Sequence, residues 1–150
     1  MPEYGCSVAR DAFFSCMDRR TQRVRRELID YLGIKDGTFD LISVPGGAGD
    51  FRQLERCLRL SCQLHSVEEA ILTVHEDCGA GAKKGDLLRA ARIATKMGVK
   101  YRAFYLFRTE NGWTWEEIVF SEEELLSPWR RLLRKCSLLI SSRSPAFEQE

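Results

Sequence analysis

The chain has no apolar run near the roughly 20 residues that a membrane span requires, and its opening MPEYGCSVARD holds no signal-peptide core. A membrane helix is thereby excluded, and the cytoplasm is the expected address. An excess of one charge is also absent. Twenty-three Lys and Arg against twenty-two Asp and Glu leave a formal net charge of +1, which selects neither a nucleic acid nor an acidic partner. Six cysteines in 150 residues are too few for a small disulfide scaffold, and Cys6, Cys16, Cys57, Cys62, Cys78 and Cys136 form no C-x-x-C pair. Zinc ribbons and thioredoxin-like redox pairs drop out, so any metal site must be assembled across the fold. Histidine is scarce, with only His65 and His75. The sequence also lacks internal repeats, linkers and low-complexity segments. A composition of 44% hydrophobic and 30% charged residues describes one soluble domain over residues 1–150, long enough to bury about two-thirds of its unfolded surface.

Periodicity gives an alternating pattern. Asp11 to Cys16 (DAFFSC) reads as a short buried strand running into the charged Met17-Asp18-Arg19-Arg20. From about Arg20 to Leu32 the spacing of Val24, Leu28 and Tyr31/Leu32 predicts a helix, with Gly33 as its C-cap. Phe39 to Val44 is a second strand, closed by Pro45-Gly46-Gly47-Ala48-Gly49. Asp50 then caps a helix carrying Phe51, Leu54, Leu58 and Cys62. Glu69 to Val74 is a third strand, followed by His75-Glu76-Asp77-Cys78-Gly79 and a helix from Asp86 to Met97 that stops at Gly98. Lys100 to Phe107 and Trp113 to Phe120 flank an Asn111-Gly112 hairpin signal and should pair antiparallel. Ser121 and Glu124 have capping-box spacing before a C-terminal helical stretch through Pro128, Trp129, Leu132, Leu133 and Cys136, and the tail frays from about Ser141. The expected fold is α/β: a mainly parallel central sheet flanked by helices on both faces, with an antiparallel edge hairpin.

In an open parallel sheet, ligands bind beyond the carboxyl ends of the strands. The first such end presents Cys16, Asp18 and Arg20. Their spacing of two sends all three side chains to one side if the extended conformation persists. The third presents His75 and Cys78, which a turn can aim at one point. Two thiolates and an imidazole are the ligands of a catalytic zinc when a fourth position is left exchangeable.

These residues resemble the β-class carbonic anhydrases. That family carries C-x-D-x-R after its first strand and H-x-x-C after a later one, here Cys16-Met17-Asp18-Arg19-Arg20 and His75-Glu76-Asp77-Cys78 with Gly79 following. Val44 to Asp50 stands where the family has an R-N-A-G-N loop, and the resemblance spans roughly residues 11 to 120. It implies Zn2+ held by Cys16, His75 and Cys78, with Asp18 and Arg20 as catalytic residues. Asp18 would accept a hydrogen bond from zinc-bound water or take the fourth zinc position itself, and Arg20 would hold Asp18 in a salt bridge. The implied function is that of a zinc lyase hydrating carbon dioxide reversibly to bicarbonate through zinc-bound hydroxide. Alternatives on the same scaffold are hydrolysis of carbonyl sulfide or carbon disulfide, and a catalytically silent zinc-binding homologue with a regulatory role. The resemblance also implies a homodimer or higher homo-oligomer. Pro45-Gly46-Gly47 departs from the family's loop, which leaves only backbone N–H groups there to bind an anion.

Cys6, Cys57, Cys62 and Cys136 read as core or surface residues without a role. His65 reads as a surface or capping side chain, although His65, Glu76 and Asp77 are all near enough in sequence to be proton carriers. The basic residues Arg19, Arg20, Arg23, Arg25 and Arg26, mixed with Glu27 and Asp30, read as a solvated helix face rather than a nucleic-acid patch. A phosphatase-like role for Cys16 needs an arginine six residues on, where Gln22 stands.

Overall fold

The structure, a computed structural model, describes residues 9–126. The chain divides into two compact units, Met1–Val119 and Phe120–Glu150. In the first, β1 (Asp11–Cys16) leads through a 3-10 turn (Arg19–Thr21) into α1 (Gln22–Tyr31). Next come β2 (Phe39–Val44), a second 3-10 turn (Gly47–Gly49), α2 (Phe51–His65), β3 (Glu69–His75), α3 (Asp86–Lys96), β4 (Lys100–Thr109) and β5 (Gly112–Ile118). In the second, α4 (Glu122–Leu125) opens with a capping box in which Ser121 and Glu124 satisfy each other's backbone N–H groups. The expected C-terminal helix and Cys136, like Cys6, lie outside the described residues.

One five-stranded sheet runs in the order β2-β1-β3-β4-β5. β1 is parallel to β2 and β3, β3 is parallel to β4, and β5 pairs antiparallel with β4 as the Asn-Gly turn requires. Both central strands are apolar on both faces, since β1 is buried throughout and β3 is buried from Ala70 to His75. That is the pattern of a sheet sandwiched between helices. On one face α1 lays Val24, Leu28 and Ile29 on Phe13, Ile71, Phe104 and Leu106. On the other, α2 and α3 pack on each other and on the sheet, burying Leu54, Leu58, Leu87, Ala90, Ala91 and Ala94 over strand residues of opposite parity such as Phe14, Leu72 and Val74.

The boundaries differ from expectation where polar side chains intervene. The helix expected from about Arg20 begins instead as a 3-10 turn, because Asp18 accepts from Arg20 N–H at 2.9 Å and the Thr21 hydroxyl donates to the Asp18 carbonyl at 2.9 Å. β3 continues one residue further than expected, so His75 is a strand residue in register with Leu106. β5 ends at Ile118 rather than Phe120, and Val119 is exposed. At the sequence's Asp50, the side chain caps α2 by accepting from Gln53 N–H.

Leu28 is fully buried at the centre of the α1 interface. Leu28→Ala should destabilise the protein by about 2–5 kcal/mol through lost burial and the cavity left behind, read as a lower midpoint in urea unfolding.

Candidate metal centre

Because β1 and β3 run parallel, their last residues, Cys16 and His75, reach the same edge of the sheet. Beyond His75 the chain turns back through Asp77, which adopts φ +52, and this left-handed residue brings Cys78 toward Cys16. The two sulfurs lie 3.9 Å apart. The Cys16, His75 and Cys78 ligand atoms all fall within 4.8 Å of one another. Cys16 and His75 are buried, and Cys78 is partly so.

The tautomer of His75 is set by its neighbours. Nδ1 lies 2.7 Å from the Glu76 carbonyl, which can only accept, so Nδ1 carries the hydrogen and Nε2 carries the lone pair. Among the described residues Nε2 has no hydrogen-bond partner although it is fully buried. A buried polar atom without a partner is costly, and this one belongs to the same tight group as two sulfurs. Trp113 packs edge-on against the imidazole with centroids 6.0 Å apart. Burial pushes the Cys16 thiol above its ordinary range, opposed in part by hydrogen bonds from the Asp18 and Gly46 backbone. A divalent cation supplies the charge that deprotonates such a thiol and the acceptor that Nε2 lacks. The donor set thus fits a soft or borderline metal ion such as zinc.

Asp18 and Arg20 stand beside this group. β1 ends at Cys16; Asp18 (φ −59, ψ 122) caps the 3-10 turn, and Arg20 sits in that turn and reaches back by its side chain rather than along the strand direction. Arg20 Nε donates to both Asp18 oxygens at 3.1 and 3.0 Å, and Nη2 donates to Oδ2 at 2.6 Å. With the Arg20 backbone N–H also donating to Oδ1, the carboxylate is locked and its pKa is held far below the ordinary range. Asp18 Oδ2 lies 3.9 Å from His75 Nε2. Arg20 Nη2 also donates to the Asp77 carbonyl at 3.0 Å, so one guanidinium ties the Cys16-to-Arg20 segment to the His75-to-Cys78 segment.

The glycine loop packs directly against the candidate ligands. Gly46 N–H points at Cys16 Sγ (3.4 Å), while the Gly49 and Asp50 N–H groups are used within the turn by the Gly46 and Gly47 carbonyls. Within the loop, the Gly46 N–H thus orients a thiol. Gly47 is there for room: a Cβ would lie 2.6 Å from the Thr73 carbonyl and 2.8 Å from Cys16 N, at φ +57. Strand–Gly–Gly is a signal for close backbone approach, and it marks this contact in the sequence. His65, at the far end of α2, pairs with Asp40 at 2.8 Å near the start of β2, away from the edge where Cys16 ends β1. The Glu76 carboxylate accepts from Arg108 N–H, whereas Asp77 meets Arg20 through its backbone carbonyl.

The fold is α/β, with cysteine and histidine side chains that could hold a metal ion converging at the ends of parallel strands. The carbonic anhydrase from Glaciozyma antarctica is similar in fold (TM-score 0.54, 15% identity, 73% of this chain and 82% of that chain). So is the carbonic anhydrase from Streptococcus mutans (TM-score 0.55, 14% identity, 75% of this chain and 83% of that chain). The b-carbonic anhydrase CafA of the fungal pathogen Aspergillus fumigatus superposes more loosely (TM-score 0.48, 11% identity, 85% and 83%). The fold is that of the β-class carbonic anhydrases. No protein-family model matches the sequence, and no curated protein matches it either.

Gly47→Ala should force the loop off Cys16. The expected cost is about 1–3 kcal/mol in chemical denaturation, from steric overlap and left-handed strain together.

Proposed function

We propose that this protein is a zinc enzyme that hydrates carbon dioxide reversibly to bicarbonate. The observation that carries the reading is the buried, unpartnered Nε2 of His75 grouped with the sulfurs of Cys16 and Cys78. The fold it shares with carbonic anhydrases adds support.

In this reading Cys16, His75 and Cys78 hold the zinc. The ion supplies Lewis acidity that makes hydroxide available from water near neutral pH. The chain's own residues do the rest. Two thiolates and a neutral imidazole would give three protein donors, the number found in catalytic rather than structural zinc sites. Asp18, held ionised by Arg20, offers an acceptor whose Oδ2 lies 3.9 Å from His75 Nε2. A carboxylate that stays charged can accept a proton-bearing group and orient its oxygen toward carbon dioxide, and the fork of Arg20 fixes the direction of that acceptor. Arg20 engages both carboxylate oxygens, which supports reading Asp18 as an orienting acceptor over a fourth ligand. Through Asp77, the same arginine steadies the loop that carries Cys78.

Elemental analysis of purified protein should find about one zinc per chain, and Cys16→Ser should lower that occupancy. In stopped-flow assays near neutral and at alkaline pH, Asp18→Asn should keep its zinc and lose on the order of 10–100-fold in hydration rate. Zinc-replete wild-type protein without hydration activity at either pH would remove the carbon dioxide reading, and inactivity on carbonyl sulfide and carbon disulfide as well would leave a silent zinc-binding homologue.

A further inference from the structure

The β3–β4 ladder ends in a bond made by a side chain. In a parallel pair, each bonded residue of one strand exchanges hydrogen bonds with two residues of its neighbour, spaced two apart. Glu76 N–H donates to the Leu106 carbonyl at 2.8 Å, so the next bond in sequence would run from Arg108 N–H to the Glu76 carbonyl. Instead, Arg108 N–H donates to Glu76 Oε2 at 3.0 Å, and the Glu76 carbonyl takes the Nδ1–H of His75 at 2.7 Å. The carboxylate has replaced its own residue's carbonyl as the ladder acceptor.

We propose that Glu76 is a positioning residue for His75. By carrying the last β4 bond on its side chain, it frees its carbonyl to hold Nδ1–H and so fixes the tautomer that keeps a lone pair on Nε2. The inference rests on the reading of Cys16, His75 and Cys78 as a metal site. It also gives Glu76 a task other than carrying protons. The carboxylate is anchored to a backbone N–H, and what it controls is the direction of a carbonyl one residue from the ligand. Trp113 packs against the imidazole, and the Arg108 guanidinium lies 5.1 Å over the Trp113 indole, so the end of the hairpin braces His75 through Trp113. Partners that fix a ligating histidine in this way typically change metal affinity by 10–100-fold when removed.

Glu76→Ala leaves Arg108 N–H to compete with His75 for the carbonyl of residue 76, whereas Glu76→Gln keeps a side-chain oxygen for Arg108. Two readouts decide the matter. With only two histidines in the chain, 15N NMR of the metal-free protein at about pH 8, above the ordinary imidazole range, resolves the His75 tautomer. Wild-type and Glu76→Gln protein should carry the hydrogen on Nδ1, and Glu76→Ala should populate both tautomers. In chelator competition, zinc affinity should fall by about 10–100-fold in Glu76→Ala and return in Glu76→Gln. Unchanged tautomer and affinity in Glu76→Ala overturn the proposal, as does an equal loss of affinity in the Gln variant with the tautomer intact. A wild-type His75 with its hydrogen on Nε2 overturns it without any variant, which covers the case of an alanine variant that does not fold. Wild-type protein that takes up no zinc overturns the metal reading instead, while the tautomer comparison still decides the role of Glu76.

Discussion

Parallel pairing of β1 with β3 is the constraint on which the candidate centre depends. The two strands are in register from Asp11 opposite Glu69 to Phe14 opposite Leu72, and Cys16 and His75 lie two and three residues further along. With an antiparallel arrangement the same residues would stand at opposite ends of the sheet, about 17 Å apart for a strand of this length. The pairing is held by burial on both faces, so the chemistry at the edge is inherited from the packing of Phe13, Phe14, Ile71 and Leu72 beneath it. Parallel strands need crossovers, and α1 with β2 and α2 supplies the connection that leaves β1 and β3 side by side.

Around that edge the polar groups are nearly all accounted for, which makes the exception informative. Asp18 is satisfied by Arg20, Arg20 by Asp18 and the Asp77 carbonyl, and Gly46 N–H by Cys16. Glu76 and Arg108 complete the end of the ladder. Among buried side-chain nitrogens and oxygens of the described residues, His75 Nε2 alone lacks a partner, and it lies beside the Cys16 thiol, which burial pushes above its ordinary range. A group that is expensive to bury as it stands, and inexpensive once a dication arrives, is what a metal site looks like from the protein's side. The electrostatics also separate two roles. The Cys16 sulfur and the imidazole are buried, while the Asp18–Arg20 pair lies nearer solvent, with Arg20 holding the carboxylate ionised.

Much of this was legible in the sequence, for definite reasons. The strands at Asp11–Cys16 and Phe39–Val44 are bounded by abrupt changes in polarity, and the edge hairpin by Asn111-Gly112. Asp50 sits where a helix must begin. The convergence of Cys16, His75 and Cys78 followed from placing polar residues at strand ends, since strand ends of a parallel sheet share an edge. What was not legible depended on which of several acceptors a donor would choose. The family resemblance implied the Asp18–Arg20 salt bridge, which is present, but nothing in the order Cys-Met-Asp-Arg-Arg says that Arg20 makes it from a 3-10 turn while also reaching the Asp77 carbonyl. Likewise, nothing in His-Glu-Asp-Cys says that the Glu76 side chain meets Arg108, a residue of β4.

By itself, then, the sequence determined the alternation of strands and helices and the residue types available at the strand ends. Short-range periodicity, turn chemistry and burial pattern are properties of neighbouring residues. The tertiary structure decided which hydrogen-bond donors and acceptors meet: Gly46 with a cysteine sulfur, Gly47 pressed against the backbone of Cys16 and Thr73, and a carboxylate standing in for a carbonyl beside His75. Those pairings join residues tens of positions apart, and only the closed packing of sheet, loops and helices fixes the distances and directions on which a hydrogen bond depends.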